Sequence, residues 1–330
     1  MCPESKEPED KVRAEFEDFN VELEDAPTER RNPETLNIDR KNILEILEVI
    51  NSEDVKVPEA VRREIPNIAR AVELIIEGLK LGGRLIFVGA GTSGRIGVME
   101  AAEIPPTFGT PPHLIQAIIA GGRKALYRSM ERAEDDEDEA RREIHYRDVC
   151  WKDVVLGLSA SGRTPFTLAA MREARRLGAK LIAVTVTPNS EISKIADVAI
   201  TPEVGPEVIA GSTRMKAGTA EKLILNMIST AAMIKMGKVY SNLMIDLKPL
   251  NEKLRSRARR IIQALTGVDG RTAYEAFEES GRDLKTALVM IEAKTGRRQA
   301  RRALRESSGD VRRAIEIARE MAGDRKRAGL

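Results

Sequence analysis

Aromatic residues make up only 3% of the 330-residue sequence, and it holds two cysteines, two histidines and no long uncharged apolar run. Each shortage removes a class of function. Few aromatics leave few platforms on which nucleobases could stack, and a formal net charge of +2 is too small to argue for nucleic acid or an anionic membrane. Cys2 and Cys150 lie far apart without metal-ligand spacing, which excludes a disulfide framework and points to a reducing compartment. His113, at a strand entrance, and His145, within a charged helix, cannot build a metal cluster. The most apolar helical run, Leu223 to Met236, is short and interrupted by Asn226 and Lys235, so no bilayer span is expected. The N-terminus is acidic and lacks the apolar centre of a signal peptide. A cytoplasmic location is therefore expected. What is present is a globular balance, 42% hydrophobic and 32% charged, with length enough for one main core and an appendage.

Composition shifts divide the chain into three parts. Residues 1–27 read as a charged, poorly ordered arm. Two helical patterns follow, at 38–51 with Asp39 as the N-cap candidate and at 57–80 with a break or kink at Pro66. From residue 84, five β-branched apolar runs alternate with helical patterns: 84–89, 113–120, 153–159, 180–186 and 197–202, with helices at 93–102, 123–147, 165–177 and 190–196. Strands buried on both faces and separated by helices predict βαβ units and a parallel sheet. A helix from Thr213 to Met236 closes this part, 28–249. Residues 250–330 carry short helical segments, most ending in Gly, and predict a small all-α domain. Its Arg-rich stripes alternate with Glu and Asp at helical spacing and read as a salt-bridged solvent face.

The stretch Gly89-Ala-Gly91-Thr-Ser-Gly94 fits the dinucleotide fingerprint G-x-G-x-x-G, in the strand-to-helix context that binds an anion. A dinucleotide site also needs a carboxylate at the end of the second strand for the ribose hydroxyls. Here that strand ends in Ala120-Gly121-Gly122, and Glu100 and Glu103 come too soon. A second loop of the same kind, Ser159-Ala-Ser161-Gly162-Arg163-Thr164, follows another strand and precedes Pro165 at a helix start. Two hydroxyl-rich loops converging at strand ends suit a compact phosphate monoester. Ordinary turns with Ser and Thr as helix caps are the competing reading.

GAGTSGR and SASGRT resemble the sugar isomerase (SIS) domain, which implies a flavodoxin-like α/β fold: a parallel five-stranded sheet flanked by helices, binding phosphosugars. The likeness extends to TERRNPETLNID (28–39), INSEDVKVPEAV (50–61), AAEIPPTFGTPP (101–112), IAGGRKAL (119–126), ERAEDDEDE (131–139), GPEVIAGSTRMKAGTAEKLILNM (205–227) and KVYSNLMIDLKPLNEKL (238–254). Together these segments resemble the N-acetylmuramic acid 6-phosphate etherases over roughly residues 28–330. The AEIPPT and AEDD segments are absent from ordinary SIS isomerases. The resemblance implies a lyase-type ether cleavage in a homodimer with sites near the subunit interface, using no metal or nucleotide cofactor.

An alkyl ether resists direct hydrolysis. Once the sugar ring opens, however, the C2 proton lies next to an aldehyde and becomes removable, and lactate can depart from C3. That route needs a base, an acid and a grip on the phosphate. The resemblance assigns Glu103, in AAEIPPT, as the acid at the departing oxygen and Glu134, in ERAEDD, as the base at C2. It gives Thr92, Ser93, Ser159, Ser161 and Thr164 to the phosphate, with Gly91 and Gly94 for close backbone approach. Ser212, Arg214 and Lys216 could hold the lactyl carboxylate or the phosphate; helix capping and surface charge is the alternative. Glu207 has no assigned role. An acid working near neutral pH must keep its proton, so Glu103 is expected to be desolvated or near another negative group in the ligand-bound dimer. A non-catalytic phosphosugar-binding regulatory protein and an aldose–ketose isomerase are the rival readings on the same fold, with a dinucleotide oxidoreductase more distant.

Overall fold

The structure, a computed structural model, describes residues 27–246 and 252–327. Nearly all of the expected N-terminal arm, with Cys2, lies outside the described residues. Two compact units divide the chain: one takes the chain up to Ala101 together with His113–Ile228, the other takes Ala102–Pro112 together with the chain from Ser229 on.

The first unit is built on a five-stranded parallel sheet of β1 (Leu85–Gly89), β2 (Ile115–Ile119), β3 (Val154–Leu158), β4 (Lys180–Val184) and β5 (Val198–Ile200), in the order β2-β1-β3-β4-β5. Every residue of β1 and β3 is buried, which is why these runs are apolar throughout instead of alternating. Ile86, Val88, Ile118, Val155, Phe166 and Met171 pack into one core cluster, each large side chain contributing about 1.5–3 kcal/mol by leaving water. The five strands fall within the five runs read from the sequence.

Helices α1 (Ile43–Asp54), α2 (Lys56–Arg63) and α3 (Ile65–Lys80) precede the sheet. The start of α1 corrects the sequence reading: the cap is Asn42, not Asp39. Its side chain accepts from Glu45 N while Glu45 accepts from Asn42 N, which satisfies two helix-end donors at once. The expected break falls at Glu64, with Pro66 in the first turn of α3.

Two further corrections concern functional segments. Helix α4 runs Gly91–Phe108, through Pro105 and Pro106 instead of stopping near residue 102. Each proline removes its own donor and crowds the carbonyl four residues back, yet the helix continues past both, and Gly109 N still closes on Pro105 O at 3.0 Å. The stretch 123–147 is not one helix. It breaks into 3-10 turns at Gly122–Leu126 and Glu131–Asp135, followed by α5 (Glu137–Tyr146), whose N-cap Asp136 accepts from Glu139 N. Asp at a cap competes with continued helix, and left-handed Gly121 and Gly122 break the pattern earlier.

Helices α6 (Pro165–Arg176), α7 (Glu191–Ile195) and α8 (Lys216–Lys235) complete the series. No helix among the described residues is long and apolar enough to cross a membrane. The second unit holds a two-stranded ladder, β6 (Val239–Tyr240) with β7 (Leu243–Met244), and helices α9 (Glu252–Thr266), α10 (Gly270–Glu279), α11 (Leu284–Glu292), α12 (Arg297–Glu306) and α13 (Val311–Arg327). Its core gathers Ile262, Phe277, Leu288, Val289 and Ala314. The Arg-rich stripes are solvent faces carrying pairs such as Arg271–Glu275 and Arg302–Glu306, each at 2.8 Å.

Candidate functional site

In an open parallel sheet, ligands collect beyond the carboxyl ends of the strands where the strand order reverses; in the order 2-1-3-4-5 that point lies between β1 and β3. The two hydroxyl-bearing loops leave the sheet there. Gly89 pairs in register with Leu158, so the loops start level with one another on neighbouring strands. In the first loop Gly91 adopts φ +53°, a conformation open to glycine, and opens α4. A Cβ at Gly94 would lie 2.6 Å from Gly89 O and 2.7 Å from Ile119 Cγ1, so only glycine lets α4 close on the strand ends. The second turn is knit by its own hydroxyls. Ser159 Oγ accepts from Gly162 N at 3.0 Å and shares a hydrogen bond with Thr164 Oγ1 at 2.8 Å, while Ser161 Oγ accepts from Arg163 N at 3.3 Å. Gly162, at φ +68°, packs against Ser190 where a side chain would clash.

The remaining candidates scatter in environment. Thr92 is half-buried and faces Gly218, where an added Cβ would meet its methyl at 3.3 Å. Ser93 is buried, and its hydroxyl donates to Glu221 Oε1 at 2.7 Å. Glu134 stands on the 3-10 turn beyond β2. That turn packs closely, since a Cβ at Gly121 would meet Ala133 Cβ at 3.1 Å, and Arg95 of α4 binds the carbonyls of Ala125 and Arg128 in the same connection. Partial desolvation, then the charges of Asp135 and Glu131, push the Glu134 carboxyl above its ordinary value. Glu103 lies on α4 itself, exposed and without a partner among the described residues.

The GSTRMK segment separates into distinct roles. Ser212 is half-buried, and Arg214 is exposed with no ion pair among the described residues. Lys216 is 1% exposed, and its ammonium meets the equally buried Glu53 at 2.7 Å. Burial alone would raise Glu53, but hydrogen bonds from Lys216, Lys56 and Asn32 outweigh it and hold the carboxyl down to about 2. Glu207 gains an explanation: its two oxygens accept from Lys216 N and Ala217 N, each at 2.9 Å, and so satisfy the first donors of α8. Nearby, a cavity of about 210 Å³ is lined by Thr28, Arg30, Val186, Glu203, Glu207 and Thr213, beyond the ends of β4 and β5.

Comparison with known proteins decides the family. Residues 67–175 match the glucokinase regulatory protein N-terminal SIS domain and residues 141–231 match the SIS domain. An N-acetylmuramic acid 6-phosphate etherase of Clostridium acetobutylicum is 52% identical over 299 residues, covering 91% of this chain and 99% of that protein. One of Symbiobacterium thermophilum is 55% identical over 271 residues, covering 82% and 90%. The chain belongs to the N-acetylmuramic acid 6-phosphate etherase family. Among solved structures, a putative phosphosugar isomerase of Bacteroides fragilis aligns with TM-score 0.48 at 21% identity, over 61% of this chain and 95% of that one.

For a member of the etherase family, the residue missed by sequence reading is Glu221. It is 1% exposed, touches the loop after β1 through Ser93, and leaves Oε2 without a hydrogen-bond partner among the described residues. Burial pushes its carboxyl up to about 7, against the lowering effect of Ser93. A signal existed. Ala217, Ala220, Ile224, Leu225 and Ile228 form a buried stripe along α8, and position 221 falls within it at helical spacing.

Proposed function

We propose that the protein cleaves the D-lactyl ether of N-acetylmuramic acid 6-phosphate, yielding N-acetylglucosamine 6-phosphate and D-lactate. One observation carries the reading: two glycine-opened, hydroxyl-bearing turns leave β1 and β3 at the same level of the sheet, at its switch point. Relatives of about this length and roughly half-identical sequence bear the etherase name. In our reading Thr92, Ser159, Ser161 and Thr164 face the phosphate, and Gly91 and Gly94 allow the backbone to approach it. Lys216 spends its charge on Glu53, so exposed Arg214, with Ser212 beside it, is the better cation for the lactyl carboxylate.

The chemistry is an elimination followed by addition. With the ring open, Glu134 takes the C2 proton and the electron pair forms the C2–C3 double bond as the C3–O bond breaks. Glu103 gives its proton to the departing lactate oxygen. Water then adds across the double bond, its hydroxyl to C3 with Glu103 as base, and Glu134 returns a proton to C2. A raised carboxyl is a stronger base once ionised, which suits Glu134.

Glu103 stands three helical turns past Thr92, about 16 Å along the axis at 1.5 Å per residue, too far for the C3 of a sugar whose phosphate sits on the same chain's loop. We therefore infer a homodimer in which Glu103 serves the partner's sugar. The exposed apolar face of α1, with Ile43 78% and Leu44 66% accessible, supports association. Incubating the protein with N-acetylmuramic acid 6-phosphate should release D-lactate. Binding without release would favour instead a regulatory phosphosugar protein, the reading that the match to the glucokinase regulatory protein domain keeps open.

A further inference from the structure

Glu221 lies on α8 just past Gly218, whose missing side chain lets α8 close to Thr92 and Ile96. From there it reaches Ser93 in the first turn of α4, Oγ to Oε1 at 2.7 Å, both side chains buried. Oε2 is buried with no hydrogen-bond partner among the described residues. An orphaned oxygen that shares a full negative charge is far costlier in an apolar interior than the carbonyl oxygen of a neutral acid. Ser93 has one hydroxyl proton. An ionised Glu221 claims it, and a phosphate at the loop then faces the Ser93 lone pairs with a buried negative charge behind them. A protonated Glu221 can donate to Ser93 Oγ, which leaves the Ser93 proton free for a phosphate oxygen.

We propose that Glu221 is a positioning residue of the phosphate site, taking up one solvent proton as the phosphosugar binds and turning the Ser93 hydroxyl into a donor to the phosphate. This rests on the reading of the loop as a phosphate site given above. The proton moves from solvent to Glu221 on binding and returns when product leaves; no other bond changes. Burial sets the carboxyl at about 7, so the exchange falls near neutrality. Four charged side chains on the two helices that meet here are engaged elsewhere. Glu100 pairs with Lys222 at 2.6 Å, Arg95 holds the carbonyls of Ala125 and Arg128, and Lys216 holds Glu53. Burial and Ser93 alone set the titration of Glu221.

The test is calorimetric titration with N-acetylglucosamine 6-phosphate at about pH 8, in two buffers of different ionisation heat, for the wild type and E221Q. The wild type should take up about one proton per site more than E221Q, and its affinity should fall about tenfold per pH unit above neutrality relative to the variant. The amide of E221Q supplies a permanent donor to Ser93, so the variant should bind with the weaker pH dependence. Equal proton uptake and equal pH slopes in the two proteins would overturn the proposal. Should E221Q fail to fold, S93A removes the relay and should lower the uptake in the same way; unchanged uptake in S93A overturns it too. Absence of sugar-phosphate binding in the wild type would instead sink the phosphosugar reading, and this inference with it.

Discussion

Glu53 and Glu221 are the same residue type, buried to the same degree, with 2% and 1% of their surface accessible. They end in opposite states. Burial works against the charge of both, but Glu53 receives two ammonium groups and an amide and is held at about 2, whereas Glu221 receives one neutral hydroxyl and rises to about 7. In this interior a carboxyl is fixed where cations reach it and titratable where only a hydroxyl does. The first kind pins Asn32 and Lys216 together from distant parts of the chain; the second kind sits beneath the loop after β1. Glu103 and Glu134, on α4 and on a 3-10 turn, form a third, solvent-exposed kind.

Substitutions at these glutamates should separate the three kinds, beginning with the largest effect. E103Q and E134Q should each lower kcat for lactate release by about 10²–10⁴-fold while leaving the melting temperature near that of the wild type. Near-normal turnover in either would remove that residue from proton transfer. Lys216→Met strands a charge among buried groups and should cost about 3–5 kcal/mol in chemical denaturation at neutral pH. Glu53 titrates low in the fold, so its contribution is present above its ordinary 4.5 and is lost as pH falls toward 2; Lys216→Met should make that acid loss shallower. Glu221 runs the other way. Its stabilisation is complete below 4.5 and is lost as pH rises through about 7, a decline of up to about 3 kcal/mol that E221Q should flatten. Equal pH dependence of stability in wild type and E221Q would contradict the comparison.

The sheet and both hydroxyl-bearing turns were legible because they depend on local pattern: buried β-branched runs, then glycines and hydroxyls at a helix start. The strand order 2-1-3-4-5 was not legible, since periodicity alone gives strands without their neighbours. Less legible were features set by tertiary partners. The first helix after β1 reads as ending at residue 102, yet it runs on through Pro105 and Pro106. Glu134 reads as helical within an acidic run, yet Asp136 prefers to cap and splits that run. Lys216, which reads either as a cation for the lactyl carboxylate or phosphate or as surface charge, and Glu207, which reads without a role, are buried and bonded to Glu53 and to the start of α8. No sequence spacing links Glu53 to Lys216 across 163 positions. Ser93 could be read as a phosphate hydroxyl, but its partner Glu221 lies 128 positions away.

The central claim, an elimination on a phosphosugar held at the β1–β3 switch point, is tested most directly by running the reaction on N-acetylmuramic acid 6-phosphate in heavy water. The account predicts D-lactate together with N-acetylglucosamine 6-phosphate that carries solvent deuterium at C2. Lactate released with C2 still bearing its original proton would mean that the ether is broken without removing that proton, and would contradict it.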